Sequence, residues 1–328
     1  GSSWVNTTGS DKDWYDYTAK KWANAKTSDG SMWVWIPRYA YSITSGYHSS
    51  TAGNIDVEFM KGLTNETSTG RKSFNNASGQ GKWNIHPAFN YGQTVSGIWV
   101  AKFEASNSGG KIKVEPGVQS WRSITVNDIY TNCLNYNKTL NSHMMKNDEW
   151  GAVAYLSKSK YGKNAEVDIN DDSSYYTGGG SGNAYVNNVG QSTTGTVHGV
   201  YDMSGGAYEY VAAYVNNGNS SLSNGESLVN GDAKTKNVYS KGSSDDRDSN
   251  YSANSGKYGD AVYETSVNGN SSNSSWYGDD SYFPDTNSPF FLRGAFYGAG
   301  TSGGVFYFDY EDGNSFNTYS FRPVLVVL

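Results

Sequence analysis

FLRGAFYGAGTSGGVFYFDYEDGNSFNTYSFRPVLVVL, residues 291–328, begins and ends like framework and carries a different chemistry in between. Phe291-Leu292-Arg293-Gly294 reads as a strand start. Phe321 to Leu328 is an apolar, β-branched run suited to a buried strand. The filling holds Phe296, Tyr297, Ala299, Tyr307, Asp309, Tyr310, Asp312, Asn314, Phe316, Asn317 and Tyr319. Tyrosine offers large, fairly rigid contact area, while Asn, Ser and Gly adapt their hydrogen bonds, so this mix reads as a binding surface. These residues are the candidate ligand contacts, expected on one solvent-facing surface between the two strands. A β-hairpin with exposed aromatics has the same composition.

Only 36% of the 328 residues are hydrophobic and 17% are charged, so Asn, Ser, Thr, Gly and Tyr must build much of the surface. That balance points to a loop-rich β or α+β protein in an extracellular setting. The length allows one large domain or two ordinary ones. A net charge of -6 and no visible basic patch exclude a nucleic-acid partner. No apolar run approaches the roughly 20 residues that span a bilayer, so membrane insertion is not expected. No secretory leader is recognisable at the start, which a virion component or an exported chain would share. The single cysteine, Cys133, excludes internal disulfides and thiolate metal clusters.

Working back along the chain, residues 1–30 read as an N-terminal aromatic hairpin, with Trp14-Tyr15-Asp16-Tyr17 and Lys21-Trp22-Ala23-Asn24-Ala25 either side of a turn. Residues 31–328 read as the main domain. Met32 to Ile43 alternates as a half-buried strand does, and Pro37 within it marks an edge strand or bulge. Gly97 to Ser106 reads as another strand. Two helices are expected. Val126, Ile129, Tyr130, Cys133 and Leu134 fall on one face of the first, behind a Thr125/Asp128 cap. The second opens at Asn147, carries Trp150, Val153 and Ala154 inward and stops near Gly162. Residues 163–194 and 216–289, rich in Ser, Asn, Gly, Asp and Tyr, are long for loops. Their tyrosines and Trp276 need burial, so ordered excursions on the domain surface are expected.

Other motifs carry less. Gly298 to Gly303 matches G-x-G-x-x-G and Gly300 to Gly304 matches G-x-S-x-G, yet the strand-like Val305 to Phe308 follows both, so neither anion-binding helix terminus nor nucleophile elbow is expected. His48, His86, His143 and His198 lack ligand spacing and read as ordinary hydrogen-bonding residues. Asp168 to Asp172 lacks the EF-hand pattern and reads as a solvated acidic turn. Glu115-Pro116-Gly117 is similar to the sugar-binding tripeptide of calcium-dependent lectins, with Gly in place of Asn.

Four segments, in order, resemble the formylglycine-generating (sulfatase-modifying) enzyme family and its non-enzymatic relatives. Trp121 to Tyr136 resembles the family's first helix, and Ser142 to Trp150 resembles its "LPTEAEWE" helix start. Gly199 to Tyr210, GVYDMSGGAYEY, resembles "GLYDMxGNVWEW", and Arg293-Gly294 with Phe321-Arg322 resembles the closing "LRGG…GFR". The resemblance covers roughly residues 98–328. It implies an α+β C-type lectin fold with two helices, short twisted sheets and large loop content. Family enzymes oxidise a substrate cysteine with a copper-binding cysteine pair in the C-terminal stretch. No cysteine follows Cys133 here, so the oxidase chemistry is expected to be absent and the chain not to be an enzyme. The family's calcium site leaves Glu209 as a candidate ligand, but its Asn partner has become Gly206. No other cofactor is implied. The same fold carries the variable proteins diversified by retroelements in phages and bacteria, and residues 295–319 are similar to their variable segments in position and composition. A non-catalytic receptor- or adhesin-type protein is therefore expected, extracellular on a phage tail or bacterial surface, with a protein or glycan ligand on a cell surface. The alternatives are an enzyme of the family with an altered active site, or a fixed glycan-binding lectin.

Overall fold

The computed structural model describes residues 14–218, 220–244 and 246–328. It is a mixed α+β structure of small, curled sheets. A five-stranded antiparallel sheet has the order Asn24–Lys26, Met32–Pro37, Gly97–Ala101, Pro323–Leu325, His143–Met144. The apolar closing run thus lies between two strands, with Val324 opposite Val100 on one side and His143 on the other. Pro37 lies at the end of an internal strand, opposite Gly97, and not on an edge.

The larger sheet has seven strands. Its backbone is Asn237–Ser240, Tyr208–Asn216, Phe290–Arg293, Phe308–Glu311, Ser281–Tyr282 and Asn270–Ser271 in that order, and Tyr319–Ser320 pairs beside Tyr208–Asn216. Every side chain in the Phe290–Arg293 strand is buried, as expected where sheet neighbours and helices cover both faces.

Four α-helices occur among the described residues, where two were expected. Helix α1, Val126–Tyr136, buries Val126, Ile129, Tyr130 and Cys133, and the Thr125 hydroxyl accepts from the Asp128 N–H at 3.2 Å. Helix α2, Asn147–Lys158, is buried along its whole length. The Glu149 carboxylate turns back to accept the Lys146 N–H at 2.8 Å, satisfying a donor that the first turn leaves free. The two further helices, α3 at Glu226–Asn230 and α4 at Arg247–Ala253, lie in the long 216–289 segment. That segment also supplies three of the strands above, and its Trp276 is fully buried.

At the other end, residues 1–13 of the expected hairpin lie outside the described residues. Beyond them Asp16 caps a turn at Tyr17–Ala19 and bridges to Lys21, and Trp22 is fully buried in the main core.

Two buried arginines tie the layers together. Trp150 of α2 lies between them, 5.4 Å from Arg293 and 6.0 Å from Arg322. Arg293 donates to the Tyr307 carbonyl at 2.9 Å, Asn147 Oδ1 at 2.6 Å and the Asp260 and Ala261 carbonyls at 2.9 and 3.0 Å. Arg322 donates to both carboxylate oxygens of Glu209 and, at 3.0 Å, to the carbonyls of Ala101 and Tyr201. Each nitrogen of both guanidinium groups donates to at least one acceptor, which is the condition for burying such a charge.

Candidate functional site

The sheet's registers decide which C-terminal side chains meet. Tyr208 pairs with Tyr319, and Leu292 and Phe290 lie opposite Asp309 and Glu311. Successive residues of a strand face opposite ways, so Asp309 and Glu311 share one face of the Phe308–Glu311 strand and Tyr310 takes the other.

On the first face Tyr208 is the hub of an aromatic platform. Phe296 stacks on it at 5.3 Å, Tyr319 meets it edge-on at 5.7 Å and Tyr307 lies 5.8 Å away. From Phe296 the platform runs through Tyr297 at 5.2 Å to Tyr175 at 5.0 Å, whose ring carries the Arg122 guanidinium at 3.9 Å. From Tyr319 it runs to Phe316 at 5.3 Å, which is 57% exposed. Edge-on and offset ring pairs of this kind each contribute about 0.5–1.5 kcal/mol beyond their buried area.

Two carboxylates sit under the rings and are held by them. Asp309 accepts from the Tyr307 hydroxyl and, at 2.8 Å, from the Tyr310 N–H, while Glu311 accepts from the Tyr319 hydroxyl. Burial, partly offset by those two donors, pushes the Asp309 carboxyl up to about 6. Burial and then the neighbouring Asp309 charge push the Tyr307 phenol far above its ordinary value.

Not every expected contact lies on this surface. Tyr307 is only 4% exposed, so it supports the platform from beneath. Tyr310 lies on the opposite face, with Arg247 of α4 3.5 Å from its ring centroid and Tyr282 at 6.4 Å. Phe296, Tyr297 and Ala299 form the half-buried approach, where the Ala299 N–H closes a turn onto the Phe296 carbonyl at 3.0 Å. The Asp312 carboxylate accepts from the Asn314 N–H at 2.9 Å and its side-chain amide at 2.7 Å. Asn314, Phe316 and Asn317 are exposed.

The exposed loop is held by its main chain. Val126 N–H reaches the Gly313 carbonyl at 3.0 Å, Tyr210 Oη the Asn314 carbonyl at 3.0 Å and Ser123 N–H the Phe316 carbonyl at 2.9 Å. Arg122 reaches the Asn317 carbonyl, and Tyr208 N–H the Thr318 carbonyl at 2.9 Å. Tyr208, Tyr175, Arg122 and Ser123 are thus site residues that lie outside the 291–328 stretch. Tyr208 was visible as the aromatic before Glu209 in the GVYDMSGGAYEY segment. Nothing local marks the other three, which a fold alone brings near.

Glu209, the calcium candidate, is fully buried and gives both oxygens to Arg322. Burial raises its carboxyl and the guanidinium lowers it. The nearby Asp202 carboxylate accepts the Asn170 amide at 2.9 Å and the Gly178 N–H at 2.8 Å. With a guanidinium on one carboxylate and neutral donors on the other, this set does not suit a calcium ion. Gly206, in place of the Asn, has φ +76°, and a Cβ there would lie 2.7 Å from Glu104 Oε1, so the site admits no larger residue without movement. Cys133 is fully buried on α1, and burial holds its thiol well above the ordinary range.

No known protein-family model matches this chain, and no curated protein aligns with it significantly.

Proposed function

We propose that this chain is a non-catalytic ligand-binding protein of receptor or adhesin type that presents residues 314–317 and the Tyr208 platform to its ligand. One observation carries the reading: the scaffold grips the 313–318 loop by its carbonyl oxygens, leaving the side chains of Asn314, Ser315, Phe316 and Asn317 in solvent. A loop held in this way keeps its shape whatever side chains it bears. That is the requirement for a retroelement-diversified surface, and it supports placing the chain among such proteins, outside the cell on a phage tail or bacterial surface.

The fold reading that goes with it is a C-type lectin fold of the formylglycine-generating-enzyme type. In its support, the segments that resemble the family converge in one buried knot: Trp150 from the helix start, Glu209 from GVYDMSGGAYEY, and Arg293 and Arg322 from the closing motif. Exposed Phe316 and half-buried Tyr319, Tyr208 and Phe296 would supply the apolar contact, as aromatic anchors do at protein interfaces. A fixed glycan-binding lectin is favoured only by the locked pairs Tyr307–Asp309 and Tyr319–Glu311, which leave little room for change at those four positions.

Glycan arrays and arrays of bacterial surface proteins supply the test. A ligand captured by the wild type should bind Phe316→Ala/Asn317→Ala at least about tenfold more weakly, a loss of roughly 1.4 kcal/mol, with an unchanged circular-dichroism spectrum. Tyr310→Ala, on the other face, should retain it. Equal capture by the double variant would remove the loop from the binding surface and end this reading.

A further inference from the structure

Helix α1 runs between two open clefts. On one side a cleft of about 510 Å³ separates it from residues 227–235, with Tyr91, Tyr130 and Leu134 among its walls. On the other a cleft of about 440 Å³ faces residues 27–29 and 110–112, with Ile112 and Tyr136 among its walls. Both volumes fall in the range of about 300–1,000 Å³ that holds small ligands. Asn135 lines both clefts, while Thr131 and Asn132, one turn before it, line one each. The two clefts therefore meet across the last turn of the helix.

Their walls are fixed in advance. Tyr130 Oη is hydrogen-bonded to Thr235 Oγ1 at 2.6 Å, and Asn127 Oδ1 accepts the Ser227 N–H at 3.0 Å, which fastens α3 to α1. Gly231 completes that wall, since a Cβ there would lie 1.9 Å from Tyr130 Oη. Across the helix Tyr136 Oη donates to Asp29 Oδ2 at 3.0 Å, which the Ser31 hydroxyl also reaches at 2.9 Å. Charges nearly cancel: Lys234 lies 3.5 Å from Asp232, Asp29 is occupied by these donors, and Lys111 and Lys138 stand exposed at the outer rims. Amides and hydroxyls make up most of what remains. At the shared lip Asn135 is exposed, and its amide has no hydrogen-bond partner among the described residues. We propose that the two clefts form one groove that binds an uncharged oligosaccharide laid across Asn135.

The chemistry of the walls selects that class. Sugar hydroxyls both donate and accept, as do the amide and hydroxyl side chains that line the groove. The C–H faces of the sugar rings would pack on Leu134, Ile112 and the apolar stems of the lysines. A strongly charged ligand would find no matching field here. Because the walls are already tied, little ordering has to be set against the contacts formed. The groove is also distinct from the platform. The first residue of α1, Val126, holds the Gly313 carbonyl, and Asn135 lies roughly 14 Å further along the helix. Occupancy of one site leaves the other open.

Saturation-transfer NMR with maltotetraose, cellotetraose and chitotetraose at millimolar concentration tests the proposal. At least one of the three should receive saturation from the wild type and show a saturable titration that molar salt does not weaken. Asn135→Trp fills the lip where the clefts meet and should weaken that binding at least about tenfold, with an unchanged circular-dichroism spectrum. Asn135→Gln keeps the amide and should retain most of it. Phe316→Ala/Asn317→Ala should bind the sugar as the wild type does, whatever becomes of a ligand captured at the platform. No transfer to any of the three sugars, transfer that Asn135→Trp leaves intact, or transfer lost in the Phe316/Asn317 variant would overturn the proposal.

Discussion

Replacing Arg322 by Met tests the buried knot on which the platform rests. The guanidinium donates to both Glu209 oxygens and to the Ala101 and Tyr201 carbonyls, and its removal leaves Glu209 charged, buried and beside Asp202 and Glu104. Breaking a buried pair from one side costs about 3–5 kcal/mol, because the partner charge is left uncompensated. At about 2.1 cal/mol/K of unfolding entropy per residue, 328 residues give about 0.7 kcal/mol/K, so Tm should fall by about 4–7 °C. The sign with pH is fixed: without Arg322 the folded-state pKa of Glu209 rises further above its unfolded value. The carboxyl's unfavourable contribution is then absent at low pH and grows as pH rises, so the deficit of Arg322→Met should shrink at pH 5 relative to pH 8. Glu209→Gln/Arg322→Met should recover about 2 kcal/mol relative to the sum of the single changes. Calorimetry on the four proteins measures this. Additive losses, or a loss below about 1 kcal/mol for Arg322→Met, would show that the pair does not hold the knot together.

Asp309 should give the folded protein a pH dependence of its own. Its folded-state pKa, raised to about 6, lies above the unfolded value, so its contribution to stability is full below about pH 4 and is lost as pH rises through 6. Asp309→Asn should flatten that part of a stability–pH curve, and an unchanged slope would argue against the Tyr307–Asp309 pair. Arg122→Ala removes both the cover on Tyr175 and the donor to the Asn317 carbonyl. Hydrogen exchange at residues 315–318 should accelerate while global stability falls by no more than about 1 kcal/mol; unaltered exchange would mean that the loop is held elsewhere.

What could be read from the chain follows the range of the signal. Helix α1 announced itself through five apolar positions on one face, and Phe321 to Leu328 through an unbroken apolar run, because each is a local pattern of sufficient length. Helices α3 and α4, at five and seven residues, are too short for periodicity and bury little more than Leu228 in one and Asn250 and Tyr251 in the other. Helix α4 instead depends on Asp246 accepting the Ser249 N–H at 2.7 Å and on the sheet beneath it. The composition of the 291–328 stretch correctly marks an aromatic, polar region but not which way each ring points. Phe308 is buried, and strand alternation then carries Tyr310 to its side and Asp309 to the other. Tyr175 and Arg122 reach the platform only through tertiary pairing, as Tyr175 lies more than 100 residues before Tyr297.

The expected contact residues thus divide by what holds them. A change at Tyr307, Asp309 or Tyr319 breaks a side-chain bond that fixes the platform, and in Tyr307 it also empties a buried volume, so stability and binding would be lost together. Phe316 and Asn317 contribute carbonyl oxygens to the scaffold and expose their side chains, so a change there removes no bond that shapes the loop. Asn314 is intermediate, because its amide also reaches Asp312 at 2.7 Å. Exposed substitutions without such ties usually stay within about 0.5 kcal/mol in stability, while an aromatic anchor at an interface is worth 2 kcal/mol or more in affinity. The loop can therefore exchange its contact chemistry at almost no cost to the fold, provided the layer of Tyr208, Tyr307 and Tyr319 beneath it stays as it is.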